Sequence, residues 1–262
     1  MEHILDLDRF PLHDLDSERG RALVARCRGD MERHGFFNLD GLFRPEALAA
    51  CVSEVKSVLA TDAYEHRQSH NIYFKSHVDG LAPDHPALRT VETVNRKICA
   101  DQIPENVLVQ IYEWSPLAEF LASVMGKEKL HVMDDQIACL NVMMYREGEA
   151  LNWHFDRSEF TVTLLLQAPD EGGEFQYRIG LRTDDDPNYE GVGRFVSGED
   201  ATHETVRLSP GTLNVFRGKN TAHRVSPVIG PNERIIVVLC YYENPGVRFS
   251  DEDRIRFYGR AA

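Results

Sequence analysis

Two side chains capable of metal chemistry lie two residues apart near the middle of the sequence. His154 and Asp156 belong to the segment Asn152-Trp-His-Phe-Asp156, and on an extended segment residues i and i+2 point to the same face. One imidazole and one carboxylate on one face supply two of the three ligands of a facial metal site. His223 is the expected third ligand, arriving on another strand. Two His and one carboxylate, with open positions opposite them, are the ligand set of non-haem Fe(II) oxygenases.

The residues around these ligands predict the strands that would position them. Thr161–Gln167, soon after Asp156, is a β-rich apolar run, and Ile235–Tyr242 predicts a second, buried strand. Arg234 stands at the head of that second strand, 11 residues after His223. Burying a guanidinium without an anionic partner is costly. We therefore expect an anion at Arg234, and a dicarboxylate co-substrate would supply one.

Further motifs extend over nearly half of the chain. His-x-Asp, a distal His before Arg-Val-x-Pro and an Arg about ten residues later resemble the Fe(II)/2-oxoglutarate-dependent oxygenases. The longer match, from Leu140 to Gly259, resembles the subgroup of radical amino-acid halogenases and their hydroxylase relatives. The segments that carry it are Trp153-His-Phe-Asp-Arg157, Gly172-Gly-Glu-Phe175, Asp184-Asp-Asp-Pro-Asn-Tyr189, Pro210-Gly-Thr-Leu-Asn-Val-Phe-Arg217 and Phe257-Tyr-Gly-Arg260.

The resemblance implies a fold and an iron site. The fold would be mainly β with flanking helices (α+β), around a double-stranded β-helix core of the jelly-roll, cupin-like type. The catalytic and metal-binding residues would be His154, Asp156 and His223. Fe(II), the co-substrate 2-oxoglutarate and O2 would react to give succinate, CO2 and attack on an unactivated C–H bond.

The resemblance also implies where 2-oxoglutarate binds. Its 1-carboxylate and 2-keto oxygens would chelate the metal, and its distal carboxylate would meet Arg234, whose planar fork suits bidentate pairing. Tyr145, nine residues before His154, and Thr163, on the strand after Asp156, are further candidate contacts. For these last two residues core packing is the alternative interpretation.

Asp156 distinguishes two reaction outcomes within the subgroup. The halogenating members have a small residue where this sequence has a carboxylate, so we expect hydroxylation rather than halogenation. Desaturation or ring closure uses the same ligands and stays an alternative, as does a cupin-like metal-binding or sensor protein without turnover. Zinc hydrolysis is disfavoured because it has no need of Arg234 and because the sequence has no His-Glu-x-x-His motif.

The expected substrate is a small molecule, a free amino acid or a derivative. Such a compound needs a cationic group for its carboxylate and an anionic group for its amine. A polar, aromatic loop over residues 61–85 is expected to reach over the site, since binding residues concentrate on loops. The substrate contacts expected from the sequence are Arg67, Asn71, Tyr73, Asp135, Trp153 and Arg157. Trp153 is expected to form an apolar wall for the substrate. The structural alternatives are an ordinary surface loop for residues 61–85, a turn cap for Asp135 and an ion pair for Arg157.

Glycine, proline and helix-capping residues indicate where the remaining helices and strands begin and end. A region of helices and strands with the substrate loop is expected over residues 1–130, packed on an oxygenase core over 131–262. Within one compact unit, the predicted elements are helices over 17–34, 45–59 and 107–125, a strand over 137–145, a long excursion over 181–204 and a short helix within 248–260.

Composition excludes several classes of protein. The formal net charge of −13 argues against nucleic acid or an anionic membrane surface as a partner. Five cysteines spread singly along the chain give no zinc ribbon and no disulfide framework. The first residues lack a secretion signal, and no apolar stretch approaches membrane-spanning length. We expect a cytoplasmic protein.

Overall fold

Six α-helices and fifteen β-strands make up the regular structure of the computed structural model, which describes residues 1–262. The helices are α1 (Glu18–His34), α2 (Pro45–Asp62), α3 (Val107–Glu113), α4 (Ser115–Met125), α5 (Tyr189–Ser197) and α6 (Asp251–Tyr258). The strands are β1 (Phe36–Leu39), β2 (Tyr64–His70), β3 (Val91–Cys99), β4 (His131–Val132), β5 (Leu140–Tyr145), β6 (Leu151–His154), β7 (Thr161–Gln167), β8 (Glu171–Gly172), β9 (Phe175–Arg178), β10 (Glu204–Val206), β11 (Leu213–Phe216), β12 (Ala222–Val225), β13 (Val228–Ile229), β14 (Arg234–Leu239) and β15 (Tyr241–Tyr242).

The first helix begins and ends where the sequence predicts. The Ser17 hydroxyl accepts a hydrogen bond from the Gly20 N–H, which caps the amino end of α1. Gly35 ends it with φ of 77°, a left-handed conformation that glycine adopts without steric penalty. Helices α2 and α6 also fall where they were predicted.

The single helix predicted over 107–125 is wrong, because the structure has two helices there. Trp114 is extended, with φ −71° and ψ 108°, and separates α3 from α4. Pro116 explains the break: it has no N–H to donate, and its ring would clash with the carbonyl four residues before it. Instead, Pro116 occupies the first turn of α4, where that N–H is not needed.

Antiparallel pairing organises the strands into two main sheets. The larger has seven strands in the order β1-β11-β7-β14-β5-β3-β2, and the smaller has four in the order β10-β9-β12-β6. Strands from both halves of the chain, including β1, β2 and β3, therefore share the larger sheet. The division into residues 1–130 and 131–262 stays a prediction.

Alternation along the strands gives the larger sheet two different faces. Leu140, Val142 and Met144 of β5 are buried in the main hydrophobic core, together with apolar residues of the helices. The intervening residues of β5, among them Met143 and Tyr145, line a cavity on the opposite face. Helices α1 to α4 thus contribute to the core on one face, and the other face lines the site.

One loop prediction is wrong, and the excursion predicted over residues 181–204 does lie between two strands, β9 and β10, but contains a helix. Residues 61–85 are not a continuous loop, because β2 occupies Tyr64–His70 and pairs along its whole length with β3. Residues 181–204 contain α5, which Asn188 caps by accepting a hydrogen bond from the Gly191 N–H. The mainly β architecture with flanking helices is confirmed. None of the helices combines the length and apolarity that crossing a membrane requires.

Candidate active site

A cavity of about 300 Å³ lies between the two main sheets. Both sheets contribute alternate residues to it, since side chains two apart on a strand share a face. From the larger sheet come residues of β3, β5, β7, β11 and β14, and from the smaller sheet residues of β6, β9 and β12. The polar and charged side chains that line it are Lys97, Asn141, Tyr145, His154, Asp156, Arg157, Ser158, Thr161, Thr163, Asn214, His223, Arg234, Arg256 and Tyr258.

His154 and His223 face each other across two neighbouring strands. They are directly paired residues of the antiparallel strands β6 and β12, and their ring centroids are 4.1 Å apart. Nδ1 of His154 lies 2.7 Å from the Asn152 carbonyl oxygen, and Nδ1 of His223 lies 2.9 Å from that of Thr221. Each Nδ1–H therefore donates to a carbonyl two residues earlier. This leaves the Nε2 lone pair of each ring free to bind a metal.

Asp156 completes this group from just beyond the end of β6. Its carboxylate oxygens lie 3.3 Å from Nε2 of His154 and 3.4 Å from Nε2 of His223. The Thr161 hydroxyl donates to Oδ2, and the Asp156 N–H donates to the Gly218 carbonyl at 3.0 Å. One ligand atom from each of the three residues lies within 4.8 Å of the others, so the group could hold a metal ion.

The electrostatics of this group favour a neutral His154 imidazole beside an ionised Asp156 carboxylate. Burial lowers the pKa of His154, and the neighbouring His223 lowers it further. Burial alone would raise the pKa of Asp156, but both His rings outweigh it and lower that pKa well below its ordinary value. These are the protonation states that binding to a metal requires.

Arg234 lies in the same cavity and is 2% exposed. Its Nε donates to the Gly173 carbonyl at 2.8 Å, whereas Nη1 is buried without a hydrogen-bond partner. Burial lowers the pKa of Arg234 to about 10, and the nearby Tyr145 opposes this effect. A buried unpaired guanidinium N–H is rare because it carries the full cost of desolvation. An anion bound beside Nη1 would remove that cost.

Tyr145 and Thr163 both line the cavity. Tyr145 is the register partner of Arg234, whose guanidinium lies 6.0 Å from its ring centroid, and its hydroxyl contacts only the Met143 sulfur, at 3.8 Å. The Thr163 hydroxyl donates to the Asn214 carbonyl at 3.2 Å. The Tyr145 hydroxyl thus donates only to a weak sulfur acceptor, which it could exchange for a stronger one, whereas the Thr163 hydroxyl donates to a carbonyl.

Three of the residues expected to contact substrate lie on or beside β2, outside the cavity. Arg67 is exposed and pairs with Glu92 at 2.5 Å. The Asn71 side chain organises its own loop by accepting from the Tyr73 and Lys75 N–H groups. The Tyr73 hydroxyl donates to the Pro187 carbonyl at 2.5 Å.

Of the other three residues expected to contact substrate, two make structural contacts and one borders the cavity. Asp135 is buried and accepts hydrogen bonds from three backbone N–H groups and from Arg254. Trp153, adjacent to His154 and hence on the opposite face of β6, packs on Phe195 at 4.7 Å between ring centroids. Only Arg157 borders the cavity, where it is paired with Asp253 at 3.2 Å.

Sequence reasoning missed several residues that line the cavity. Phe74 follows β2, stacks on His70 at 4.4 Å and meets the His154 ring edge-on at 5.9 Å. Lys97 reaches the cavity from β3, and residues of α6 border it from the C-terminal end of the chain. For Lys97 the available signal was the alternation of polar Thr93, Asn95 and Lys97 along a strand.

Solved structures with a similar fold come from several organisms. A 2OG-Fe(II) oxygenase family protein from Burkholderia pseudomallei is 15% identical, with a TM-score of 0.54 over 86% of this chain and 92% of that chain. The epimerase SnoN from nogalamycin biosynthesis, solved with Fe3+, alpha ketoglutarate and nogalamycin RO, is 17% identical, with a TM-score of 0.56 over 84% of each chain. A Pseudomonas putida prolyl-4-hydroxylase is 14% identical, with a TM-score of 0.51 over 82% of this chain and 97% of that chain.

These structures establish a fold shared with 2OG-Fe(II) oxygenases. No curated protein matches the sequence significantly. A family model does: the model described as Halogenase D matches residues 20–250. The resemblance to Fe(II)/2-oxoglutarate-dependent oxygenases close to the halogenase and hydroxylase subgroup is thereby confirmed, and the chain belongs to the Halogenase D family.

Proposed function

We propose that this protein is an Fe(II)/2-oxoglutarate-dependent dioxygenase that hydroxylates an unactivated C–H bond of a small molecule, an amino acid or a derivative, with release of succinate and CO2. One observation carries the proposal. Two His and one Asp that could hold a metal ion line the same cavity as a buried arginine, Arg234. Nη1 of this arginine lacks a hydrogen-bond partner. A metal ion and a dicarboxylate satisfy both features at once.

The iron would be held by Nε2 of His154, Nε2 of His223 and the carboxylate of Asp156. Backbone carbonyls fix both imidazole tautomers, and Thr161 fixes the carboxylate, so the ligands need little reorganisation on binding. When bound, Fe(II) with 2-oxoglutarate supplies the activation of O2 for attack on a C–H bond. The same cofactor and co-substrate type are present in the SnoN complex, as Fe3+ and alpha ketoglutarate.

Arg234 would bind the distal carboxylate of 2-oxoglutarate. Its Nε donates to the Gly173 carbonyl, and its Nη1 has no hydrogen-bond partner and is therefore available to an anion. A guanidinium–carboxylate pair formed in a buried site is strong and directional. The Tyr145 hydroxyl, on the neighbouring strand, is available as a second donor to the same co-substrate.

Asp156 supports hydroxylation over halogenation, although the family is named for a halogenase. Halogenating members of the subgroup have a small residue at this position, which opens a place for chloride. Here the carboxylate lies within 3.4 Å of both imidazoles and fills that place. The site therefore presents three protein ligands rather than two.

The finer assignment of the fold rests on the same cavity. The two main antiparallel sheets enclose the candidate site between them, as the two halves of a double-stranded β-helix of the jelly-roll type would. A cytoplasmic location stays a prediction.

Succinate release tests the proposed function directly. Purified protein is incubated with Fe(II), 2-oxoglutarate and O2 across a panel of free amino acids and derivatives, and product masses are recorded alongside succinate. Stimulation by one compound, with one oxygen atom added to it, supports hydroxylation. Loss of two hydrogens instead indicates desaturation or cyclisation. Absence of iron-dependent succinate formation under all conditions contradicts the proposal.

A further inference from the structure

One basic side chain in the cavity has no part in the proposed iron and 2-oxoglutarate chemistry. Lys97 lies on β3 directly opposite Met143 of β5, and both residues line the cavity that contains the metal-ligand group. Lys97 is only 8% exposed. Its place on the inner face of the sheet therefore brings an ammonium group into the site.

Lys97 lacks the anionic partner that a buried ammonium ordinarily has. Its Nζ donates to the Phe257 carbonyl at a long 3.4 Å and lies 5.8 Å from the ring centroids of Phe257 and Tyr258. These contacts compensate only part of the desolvation of a full charge. Burial lowers the pKa of Lys97 to about 8. An incoming anion would supply the missing partner.

The remaining charges around the cavity have the same sign. Arg256 borders it, as does Arg157, which is paired with Asp253 outside the cavity lining, and Asp156 is the sole acidic residue among those that line it. Because Asp156 is assigned to the metal, no carboxylate is left to bind a cationic group of a substrate. This local excess of positive charge contrasts with the net charge of −13 for the whole chain.

Lys97 and Arg234 are placed to bind two separate anions. Strand β5 lies between β14 and β3, and Arg234 pairs with Tyr145 whereas Lys97 pairs with Met143. Lys97 and Arg234 are separated by two inter-strand spacings across the sheet and by two residues along the strand direction. These separations place their Cα atoms roughly 12 Å apart. An anion held by Arg234 therefore leaves Lys97 available.

We infer that the substrate is a small organic acid of net negative charge whose carboxylate binds Lys97. This inference rests on the proposed function. Acidic amino acids and N-acylated amino acids belong to this class. Lysine and ornithine do not, because their second ammonium group would enter a cavity that offers it no anionic partner. The carboxylate bound at Lys97 would orient the apolar part of the molecule toward the metal ligands.

A matched substrate panel tests this inference first. Aspartate, glutamate and N-acetyl amino acids are compared with their amides and with lysine and ornithine, using stimulation of iron-dependent succinate release and product mass. We expect the anionic compounds to stimulate release and the amides, lysine and ornithine to have little effect. A basic amino acid as the best substrate, or a panel in which no anion stimulates, would overturn the inference.

Variants of Lys97 test the residue itself. Lys97→Met is expected to raise the KM for the acidic substrate roughly 30-fold or more, because the charge-assisted contact is lost. Its effect on the KM for 2-oxoglutarate should be at least tenfold smaller. Lys97→Arg, which keeps the charge, should retain most of the affinity. Lys129→Met, at an exposed position on the surface, is the matched control.

Calorimetric titration provides a readout that does not depend on turnover. The acidic substrate is titrated into protein loaded with Mn(II) and 2-oxoglutarate, and weaker binding is expected for Lys97→Met than for wild type and Lys129→Met. Equal affinity in all three would overturn the assignment of Lys97 while leaving the proposed function intact. Iron-dependent succinate release across the whole substrate panel distinguishes the two cases, since its absence with every compound would contradict the proposed function instead.

Discussion

A Cβ atom at Gly218 would lie 2.1 Å from Oδ2 and 2.7 Å from Cγ of Asp156. The two residues are also joined through the backbone, because the Asp156 N–H donates to the Gly218 carbonyl at 3.0 Å. Neither can move away independently. The absence of a side chain at residue 218 is therefore what allows the Asp156 carboxylate to face His154 and His223.

We expect Gly218→Ala to displace the Asp156 carboxylate and weaken metal binding. The loss should be roughly 10-fold to 100-fold, the range found when groups that orient a metal ligand are changed. Titration with Co(II), followed by its visible absorption, and with Fe(II), followed by succinate release, would measure it. Gly29→Ala in α1 is the control, because its Cβ would meet only the flexible end of Arg33. Wild-type metal affinity in Gly218→Ala would contradict the proposed role of Asp156.

Arg234 should determine which 2-oxo acid the enzyme accepts. We expect Arg234→Met to raise the KM for 2-oxoglutarate roughly 30-fold or more, since a charge-assisted contact in a buried site is removed. The KM for 2-oxobutyrate, which has no distal carboxylate, should change much less. Arg33→Met, on the exposed surface of α1, is the control. Equal effects on both 2-oxo acids would show that Arg234 does not bind the distal carboxylate.

Asp156 should be indispensable for hydroxylation. Removing one of three metal ligands is expected to lower metal affinity and hydroxylation by about 100-fold or more in Asp156→Gly, beyond the effect of altering an orienting group. Product mass spectra with and without chloride would measure the residual reaction and reveal any chlorinated product. Asp185→Gly, in the exposed loop before α5, is the control. Hydroxylation at the wild-type rate in Asp156→Gly would contradict its assignment as a ligand.

The metal-ligand group and its supporting strands could be predicted because their signals are local. His154 and Asp156 share a face by strand periodicity, and the apolar run after Arg234 identifies a buried strand. The sequence predicts that His223 reaches the site on another strand, but it does not predict that His223 pairs directly with His154. Its register depends on contacts between segments 69 residues apart in the sequence, which periodicity does not contain.

The placement of the expected substrate residues could not be predicted for the same reason. The charge of Arg67 suits a substrate carboxylate, but its side chain is exposed to solvent and pairs with Glu92. The orientation of Trp153 away from the metal ligands could be predicted from the sequence, because a residue adjacent to His154 on a strand must face the other way. The alternation of Thr93, Asn95 and Lys97 indicates a polar strand face, but long-range packing decides that this face and α6 border the iron site.

Asp135 provides a prediction about stability rather than catalysis. Its side chain is 1% exposed and accepts from Arg254 and from the N–H groups of Ile137, Ala138 and Phe249. Burial alone would raise its pKa, but these hydrogen bonds outweigh burial and lower the pKa below its ordinary value. The carboxylate form thus stabilises the fold by linking the start of β5 to the segment before α6. We expect Asp135→Asn to lower the free energy of unfolding by about 2–4 kcal/mol at pH 7, because Arg254 loses its buried charged partner.

The pH dependence of this difference follows from the direction of the shift. A carboxyl group whose pKa is lower in the folded state stabilises the protein fully above its unfolded pKa of about 4, and this contribution disappears as the pH falls through the folded value. Urea unfolding of wild type and Asp135→Asn should therefore show a constant difference from pH 7 to about pH 5 and a shrinking one below about pH 4. Asp185→Asn, at an exposed position, should match wild type throughout. A difference that persists unchanged at the lowest pH would mean that packing, rather than the ionised carboxylate, accounts for the effect of residue 135.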